Sequence, residues 1–404
     1  MRRALELASE TIGLASPNPQ VGCVLTKSPP GGGMPKVIGE GAHLYDNRDH
    51  AEIVALKQAA ARGISTEGAT AYVTLEPCSH HGRTPPCANA LIAARITRCV
   101  IATQDPNPQV SGQGIQKLRA ANIEVTLGIL EQPVRDLNEA FAHFIRHSTP
   151  FVTLKAALSL DGKLAPPTAS RDPNQPHWLT GPAARYEVQL LRHSSDAVLT
   201  GIGTVLADNP QLTDRSGMQD PDRSGMQDPA RSGLFGPNAL PRRRPLLRVI
   251  LDTHLRIPLT SQLVRSAANS PGSYPDLLIL CGSLAPSAKA AALGSLGVEV
   301  EHLPDYAGRL SLPAVLSTLA ERNILSVLLE CGSHLNGAFI QQNLVDKTVL
   351  FYAPIELGPA AIPFAEGIPS PQLFEQSLTR ITRTTFGPDT CVTGYLHNPW
   401  SANP

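Results

Sequence analysis

Three side chains that bind metals and one carboxylate stand close together near the start of the sequence. His50 is followed two positions later by Glu52, and Cys78 and Cys87 flank the segment SHHGRTPP. One imidazole and two thiolates can hold a catalytic zinc ion, which takes three protein ligands and keeps one position open for a water molecule that it acidifies. A carboxylate beside that position can carry the proton. The pattern therefore predicts a hydrolytic zinc site with His50, Cys78 and Cys87 as ligands and Glu52 as the catalytic proton carrier.

The order H-x-E…P-C…C is the signature of zinc-dependent base deaminases. A closed structural zinc site, or a set of buried thiols, is the alternative, but neither needs Glu52 beside His50. A deaminase of nucleic-acid bases predicts the spacing P-C-x-x-C and a basic surface. Here the cysteines stand nine positions apart, and 34 Lys and Arg balance 34 Asp and Glu. A degenerate binding module would have lost one of the four residues, and all are present.

Strand-like and helix-like segments alternate along the part of the chain that must position these groups, which predicts an α/β sandwich. The predicted strands are 21–27, 36–43, 69–77 and 98–106, and the predicted helices are 2–12, 50–63, 85–96 and 114–123. A second series begins near Pro150, with strands at 151–163, 196–204, 246–253, 276–282, 326–332 and 347–354. It also contains a helix that Thr180 is expected to cap. We therefore expect two domains, 1–147 and 148–404.

The octapeptide DRSGMQDP occurs twice in tandem, at 214–221 and 222–229. Two short polar copies are too few for a repeat architecture. We expect residues 214–240 to form a disordered insertion in the second domain.

Composition and the N-terminus indicate a cytoplasmic protein. Glu6 and Glu10 interrupt the segment after Met1-Arg2-Arg3, so no export signal is expected, and no apolar stretch approaches the length of a membrane span. Seven cysteines in 404 residues do not form a disulfide framework. Cys23, Cys99, Cys281, Cys331 and Cys391 are expected to be inert thiols. The neutral charge disfavours nucleic acid or membrane as a partner, and the oligomeric state stays open, a homo-oligomer included.

The long cysteine spacing is also part of a wider likeness. The chain closely resembles the bifunctional pyrimidine deaminase–reductase family of riboflavin biosynthesis. The likeness covers nearly all of the chain except about 214–240. It is carried by SPNPQVG (16–22), GEGAH (39–43), HAE (50–52), PCSHHGRTPPC (77–87), QDPNPQVSGQG (104–114), LKAALSLDGK (154–163), WLTGPAAR (178–185), VLADNPQLT (205–213) and VDKTVLFYAPIELG (345–358).

This resemblance implies a cytidine-deaminase-like α/β/α sandwich followed by a dihydrofolate-reductase-like α/β domain. The implied substrate is 2,5-diamino-6-(5-phosphoribosylamino)pyrimidin-4(3H)-one, a small phosphoribosyl pyrimidine that the first domain deaminates. The second domain then reduces the ribosyl chain with NADPH to give 5-amino-6-(5-phosphoribitylamino)uracil. In the first site, the resemblance places substrate contacts at Asn18, His43, Arg83 and Asn107.

The second site has a weaker sequence signal. No Rossmann fingerprint or P-loop is present, and the strand, glycine turn and helix in SVLLECGSHLNGAF (326–339) taken alone are typical of a plain strand–helix connection. The resemblance makes Lys155 the group that polarises or protonates the reducible carbon centre. It assigns substrate contacts to Arg192, Leu212, Arg215 and Glu330. It assigns cofactor contacts to Leu158, Trp178, Thr204, Asp208, Thr253, Gly332, Ser333, His334, Leu335, Asn336, Gly337 and Ala338.

The sequence departs from the family in two places. Pro176 stands where the family has a polar residue, and Arg215 adjoins the duplicated octapeptide. The run Arg242-Arg243-Arg244 suits a 2′-phosphate, although a solvated flank of the next strand is the preferred interpretation.

Overall fold

The computed structural model describes residues 1–29, 31–80, 85–167, 178–217, 240–267, 275–306 and 308–401. The chain divides into two units, Met1–Ser148 and the part from Thr149 onward. The predicted domain boundary after residue 147 lies next to this division. Arg83, Pro176 and the greater part of the duplicated octapeptide lie outside the described residues.

The first unit is built on a five-stranded sheet with the strand order β2-β1-β3-β4-β5. Strand β1 runs antiparallel to β2 and β3, and β3, β4 and β5 are parallel. The strands are β1 (Gly22–Lys27), β2 (Lys36–Ala42), β3 (Thr70–Leu75), β4 (Arg98–Thr103) and β5 (Glu124–Leu127). The helices are α1 (Arg2–Ser9), α2 (Ala51–Ala61), α3 (Cys87–Ala93), α4 (Gln113–Ala120), α5 (Glu131–Leu137) and α6 (Glu139–His147).

Both faces of this sheet are covered by helices, because the apolar residues of β1 alternate between two clusters. Cys23 and Leu25 pack with residues of α2, α3 and α4, whereas Val24 packs with α1. Glycines at 39 and 41 bring α2 directly onto β2, since a Cβ at either position would lie 2.2–2.3 Å from a carbonyl oxygen of that helix. This close approach fixes the start of α2, where His50 and Glu52 stand.

The second unit contains a nine-stranded sheet with the order β11-β10-β9-β8-β14-β6-β15-β18-β17. The strands from β11 to β15 in this order are parallel, and β18 and β17 are antiparallel. The members of this sheet are β6 (Phe151–Ser159), β8 (Ala197–Gly201), β9 (Leu247–Leu251), β10 (Leu277–Gly282), β11 (Glu299–Leu303), β14 (Ser326–Leu329), β15 (Lys347–Ala353), β17 (Thr379–Phe386) and β18 (Asp389–Tyr395). Short strands form two further pairs, β7 (Lys163–Ala165) with β16 (Ile362–Pro363) and β12 (Asp305–Tyr306) with β13 (Arg309–Leu310).

Helices cover this sheet on both faces as well. Leu199 of β8 packs into a cluster with α11 and α12, while its neighbour Val198 packs into a cluster with α8, α9 and α10. The helices are α7 (Pro182–Ser194), α8 (Ile202–Asp208), α9 (Gln262–Arg265), α10 (Ser287–Gly294), α11 (Leu312–Glu321), α12 (Ser333–Gln341) and α13 (Pro371–Glu375). Because the parallel strands point the same way, their carboxyl ends collect along one sheet edge, where α/β proteins place their ligands.

The structure differs from the sequence interpretation at several elements. β5, α5 and α6 were not expected. Gly181, not Thr180, is the N-cap of α7, and its N–H donates to Asp389. Arg242 is not solvated, because its guanidinium is mostly buried and donates to carbonyl groups at the end of α7. Among the residues described, no helix has the length and apolar character needed to span a bilayer.

Candidate active sites

The three predicted metal ligands lie together in the first unit. Nδ1 of His50 is 3.5 Å from Sγ of Cys78 and 3.2 Å from Sγ of Cys87. The three ligand atoms all lie within 4.8 Å of one another. A tetrahedral zinc ion with usual Zn–N and Zn–S bond lengths separates its ligand atoms by roughly 3.5 Å. The donor set and its spacing therefore fit a zinc ion with three protein ligands.

Two helix N-termini position this cluster. His50 is the N-cap of α2, and Cys87 is the first residue of α3. The N–H of Cys87 donates to Sγ of Cys78 at 3.2 Å. Hydrogen bonding from Cys87 and then from His50 lowers the pKa of Cys78 to about 4, against the opposing effect of burial. Cys78 is thus prepared to bind a cation as a thiolate.

Glu52 stands in the first turn of α2, where its carboxyl group is buried. Burial, followed by the negative charge of Cys78, raises the pKa of Glu52 to about 7. The side chain of Cys87 acts in the opposite direction and favours the ionised form of this carboxyl group. A carboxyl group with this pKa beside the ligands can both accept and release a proton near neutral pH.

Asn18 and His43 form one hydrogen-bonded unit next to the ligands. Nε2 of His43 lies 2.9 Å from Nδ2 of Asn18, and Nδ1 of His43 lies 2.9 Å from the carbonyl oxygen of Asp49. The carbonyl oxygen can only accept, so Nδ1 carries the proton and Nε2 accepts from the amide. Burial lowers the pKa of His43, which agrees with a neutral ring. The His43 ring stands edge-on to His50, with centroids 5.3 Å apart.

Asn107 lies in the loop between β4 and α4, which leaves the same sheet edge as the segment that carries Cys78. Its N–H donates to Asp105, and its side-chain oxygen accepts from the N–H of Gln109. The structure thus gathers Asn18 and His43 beside the ligands and places Asn107 on a neighbouring loop. The fourth predicted contact, Arg83, lies outside the described residues.

In the second unit, Lys155, Arg192 and Glu330 form a buried charged cluster. Leu154 and Leu329 are partners in the parallel register of β6 and β14, so Lys155 and Glu330 follow at adjacent positions. Glu330 pairs with Arg192 through two contacts, Nε–Oε1 at 2.6 Å and Nη2–Oε2 at 3.1 Å, and with Nζ of Lys155 at 3.6 Å. Burial would raise the pKa of Glu330, but Arg192 and then Lys155 outweigh it and lower that pKa to about 2.

The other predicted substrate residues of this unit adopt different environments. Leu212 is buried in the core cluster below α8 with a φ of 53°, so that only its backbone is available to a ligand. Arg215 is exposed, and its N–H donates to Gln189. Between them, Asp214 accepts from Nδ1 of His193 at 2.9 Å and pairs with Arg242.

The predicted cofactor segment begins at the N-terminus of α12. Gly332 is the N-cap and provides no side chain, and the buried hydroxyl of Ser333 has no hydrogen-bond partner among the described residues. A Cβ placed on Gly332 would lie 3.8 Å from Oγ1 of Thr204, so α8 and α12 begin next to each other. Free N–H groups and an unpaired hydroxyl at a helix N-terminus suit a phosphate group.

The remaining cofactor candidates divide into inward-facing and surface residues. Asn336 is fully buried, and its side chain bonds to the carbonyl of Phe364 and to the thiol of Cys331. Gly337 packs on the backbone of Glu366. Leu158 is in the core, and Leu335 and Ala338 are partly buried against it.

The other cofactor candidates lie at the surface or at the sheet edge. His334, which pairs with Glu366, is exposed. Trp178 is 62% exposed under the guanidinium of Arg185, Asp208 is exposed, and Thr253 follows β9 at the sheet edge.

Sequence reasoning missed the environment of two acids: Asp214 is partly buried and pairs with His193, and Glu76 is buried. Glu76 is only 5% exposed and accepts three backbone N–H groups beside the zinc ligands. An acidic residue directly after the apolar strand TAYVTL was the available signal.

Comparison with known proteins agrees with this division of the chain. Residues 1–103 match the family model for the cytidine and deoxycytidylate deaminase zinc-binding region, and residues 150–392 match the model for the RibD C-terminal domain. The chain is 39% identical to the riboflavin biosynthesis protein RibD of Bacillus amyloliquefaciens, over 90% of this chain and 86% of that protein. It is 35% identical to RibD of Escherichia coli, over 97% of each.

Solved structures give the same result for the fold. RibD of Acinetobacter baumannii is similar with a TM-score of 0.74 at 35% identity, covering 98% of this chain and 97% of that one. A Thermotoga maritima protein described as a diaminohydroxyphosphoribosylaminopyrimidine deaminase/5-amino-6-(5-phosphoribosylamino)uracil reductase is similar with a TM-score of 0.73 at 31% identity, with the same coverage.

Fold and sites together define a bifunctional enzyme, a zinc deaminase joined to a reductase. The chain belongs to the RibD family of riboflavin biosynthesis proteins. The predicted fold class, the two activities on a small-molecule pyrimidine and the cofactors Zn²⁺ and NADPH are confirmed.

Proposed function

We propose that the first unit deaminates 2,5-diamino-6-(5-phosphoribosylamino)pyrimidin-4(3H)-one and that the second unit reduces the ribosyl chain of the product. The single observation that carries the proposal is the His50, Cys78 and Cys87 cluster with the buried carboxyl group of Glu52 beside it. The name of the Thermotoga maritima relative supplies the pair of reactions.

In the deaminase site, His50, Cys78 and Cys87 hold the zinc ion. The ion, when bound, supplies an acidified water molecule as nucleophile. Glu52 takes the proton and passes it to the departing amino group, so that water replaces the amino group and ammonia leaves. Asn18, with its amide oriented by His43, and Asn107 bind polar groups on the pyrimidine edge, while Arg83 is the proposed contact for the phosphate.

The deaminase proposal is tested by zinc analysis and by ammonia release from the diaminopyrimidine substrate. The parent protein is expected to contain one zinc per chain and to release one ammonia per substrate. Cys78→Ser should lose both, whereas the matched control Cys99→Ala, which changes a core thiol of the same unit, should keep both. Full deamination by a metal-free Cys78→Ser protein would contradict the proposed ligand set.

In the reductase site, the N-terminus of α12, with the unpaired hydroxyl of Ser333, is the proposed cradle for the cofactor phosphates. The remaining cofactor residues are proposed by resemblance. NADPH, when bound, supplies the hydride for the opened ribosyl chain. Lys155 delivers a proton to the reducible group, and burial, which lowers the pKa of Lys155, favours that release. Glu330 holds Lys155 and Arg192 in place. Arg192 has further N–H donors, which bind the substrate phosphate together with Arg215. Leu212 contributes its backbone to the substrate site.

The reductase proposal is tested by supplying the deaminated aminouracil phosphate directly and following NADPH consumption. Lys155→Met should abolish turnover while NADPH still binds. Lys347→Met is the matched control, because Lys347 stacks on Tyr395 and takes no part in the charged cluster. Normal turnover by the Lys155→Met protein would remove Lys155 from the mechanism.

The proposal includes a cytoplasmic location and a phosphoribosyl pyrimidine, not nucleic acid, as ligand. The balanced charge and the seven unpaired cysteines support it. Cell fractionation tests the location. Light scattering of the purified protein distinguishes a single chain from a homo-oligomer.

A further inference from the structure

One buried carboxylate beside the zinc ligands has no part in the proposed mechanism. Glu76 lies between the end of β3 and Pro77, two positions before Cys78. Its Oε2 accepts the N–H groups of Asp105 at 3.2 Å and of Gly112 at 2.9 Å, and its Oε1 accepts that of Ile115 at 3.1 Å. Among the described residues it forms no ion pair. The carboxyl group of Glu76 is therefore held by backbone N–H groups of one loop and the helix that follows.

These three donors join the two ends of the loop between β4 and α4. Asp105 stands at its start, and Gly112 and Ile115 stand at its end, where α4 begins. Gly112 is the N-cap of α4 and has no side chain to accept a helical N–H, so Glu76 supplies the missing acceptor from outside the helix. One carboxylate thus closes the loop and fixes the first turn of the helix.

A chain of hydrogen bonds leads from Glu76 to Asn107. The backbone N–H of Asp105 donates to Glu76, and Oδ1 of Asp105 accepts the N–H of Asn107 at 2.8 Å. Oδ1 of Asn107 accepts the N–H of Gln109 at 3.0 Å. Because the N–H of Gln109 needs an acceptor, this last bond fixes which side of the Asn107 amide carries the oxygen. The Nδ2 group of Asn107 is then left as a hydrogen-bond donor.

The same loop is packed directly on the segment that carries Cys78. A Cβ on Gly114 would lie 2.0 Å from the carbonyl oxygen of Pro77, so the start of α4 can come this close to Pro77 only because residue 114 is a glycine. The hydroxyl of Ser79 donates to Gln113 at 3.4 Å. β3 and β4 are parallel, with Leu75 paired to Thr103, so both segments leave the same sheet edge. Glu76 therefore sets the loop relative to a metal ligand.

We infer that Glu76 is a positioning residue of the deaminase site, whose carboxylate fixes the loop 104–112 so that Asn107 meets the pyrimidine. The inference rests on the proposed deaminase function. It differs from the role of Glu52, because the carboxyl oxygens of Glu76 accept backbone N–H groups of this loop and of α4.

Glu76→Gln tests the inference, because an amide offers one acceptor oxygen and turns its NH₂ group toward an N–H donor. The variant therefore loses at least one of the three hydrogen bonds. We expect the KM for the diaminopyrimidine to rise about tenfold or more, while kcat changes by less than about threefold. Zinc content and the reductase activity of the same chain should stay at the parent values. Glu67→Gln, which changes an exposed glutamate whose ion pair among the described residues is with Arg95, is the matched control and should leave KM unchanged.

The parent is assayed first. A parent without deaminase activity would overturn the proposed function itself, whereas an active parent with the same KM as Glu76→Gln would overturn only this inference. A lower melting temperature with unchanged KM would assign Glu76 to stability alone and would also overturn it.

A double-mutant cycle with Asn107→Ala tests whether Glu76 acts through Asn107. The double variant should have the KM of Asn107→Ala alone, whereas multiplied effects would contradict the inference. If Glu76→Gln does not fold, Gly112→Ala replaces it in the cycle. That variant keeps Glu76 and every N–H but strains the backbone at a φ of 82°. It should raise KM without adding to Asn107→Ala, and a parent-like KM would overturn the inference.

Discussion

Two buried glutamates lie at the centres of the two sites, and their surroundings give them opposite protonation behaviour. Glu52 is buried beside the negative charge of Cys78, and both effects raise its pKa to about 7. Glu330 is buried between Arg192 and Lys155, which outweigh the effect of burial and lower its pKa to about 2. The same side chain is thus adapted to exchange a proton in one unit and to remain ionised in the other.

The difference shows what burial does to the pKa of a carboxyl group with and without a neighbouring arginine or lysine. Removing a carboxylate from water favours its neutral form, unless nearby positive charges compensate. Glu52 has no arginine or lysine partner among the described residues, and it can serve as a proton carrier in the deaminase site. With two cations, Glu330 is a permanent anion that orders the reductase site. This contrast can be broken or sharpened by substitution.

Removing the carboxyl group of Glu52 should have the largest effect on catalysis. Glu52→Gln keeps the shape and leaves the ligands untouched, but it cannot carry the proton. We expect kcat for deamination to fall by about a hundred- to ten-thousand-fold, with zinc content unchanged. Ammonia release and metal analysis on one preparation provide the measurement. Loss of zinc from this variant would show that Glu52 is a ligand.

Glu330→Gln should destabilise the second unit, because it leaves two buried cations without their anion. Breaking one side of a buried ion pair costs about 3–5 kcal/mol. Denaturant unfolding followed by the fluorescence of Trp178 and Trp400, which both lie in the second unit, should therefore show an earlier midpoint, with zinc binding by the first unit retained. An unchanged midpoint would mean that the cluster contributes nothing to the fold.

The lowered pKa of Glu330 also predicts an acid dependence. Its folded pKa lies below that of the unfolded chain, so its stabilising effect is complete above about pH 4.5 and disappears as the pH falls toward about 2. The parent should lose stability across this window more steeply than Glu330→Gln, which has no carboxylate to protonate. Parallel slopes in a pH series of unfolding free energies would refute this account of the cluster.

A smaller loss of stability is expected for Arg242→Met. The guanidinium of Arg242 donates to the carbonyl groups of Arg192, His193 and Ser195 at the end of α7, the helix that presents Arg192. Losing these bonds should destabilise the second unit by about 2 kcal/mol and leave deamination unaffected. The measurement is thermal inactivation of each activity separately. Equal losses in both activities would argue against a local role.

The smallest effect should come from Arg95→Ala. Arg95 and Glu67 form an exposed ion pair at 3.4 Å on the surface of the first unit. Exposed pairs contribute about 0–1 kcal/mol, so both activities and the melting temperature should stay within error of the parent. A clear change in deaminase activity would show that this surface charge affects the zinc site, and a clear change in melting temperature would show that the pair contributes to stability.

How far each site could be predicted follows from how its residues are arranged along the chain. His50 and Glu52 lie within one helical turn, and Cys78 and Cys87 stand on one connection, so residue types and spacing alone indicated the zinc site. Lys155, Arg192 and Glu330 come from three distant elements. The parallel register of β6 and β14 places Lys155 beside Glu330, and the packing of α7 brings Arg192 to them. Their roles therefore depended on family resemblance.

Other features depended on tertiary packing that no local pattern reports. Arg242 is held by the end of α7, and Glu76 by N–H groups up to 39 positions away along the chain. The buried side chain of Asn336 bonds to Phe364 and Cys331, although the family resemblance assigned it to the cofactor.

The most direct test of the two-glutamate account is a crossed assay. Glu52→Gln and Glu330→Gln are each measured in both half-reactions, with the diaminopyrimidine for deamination and with supplied aminouracil phosphate and NADPH for reduction. We predict that Glu52→Gln loses deamination alone and that Glu330→Gln loses reduction alone. Retention of deamination by Glu52→Gln, or of reduction by Glu330→Gln, would contradict the account.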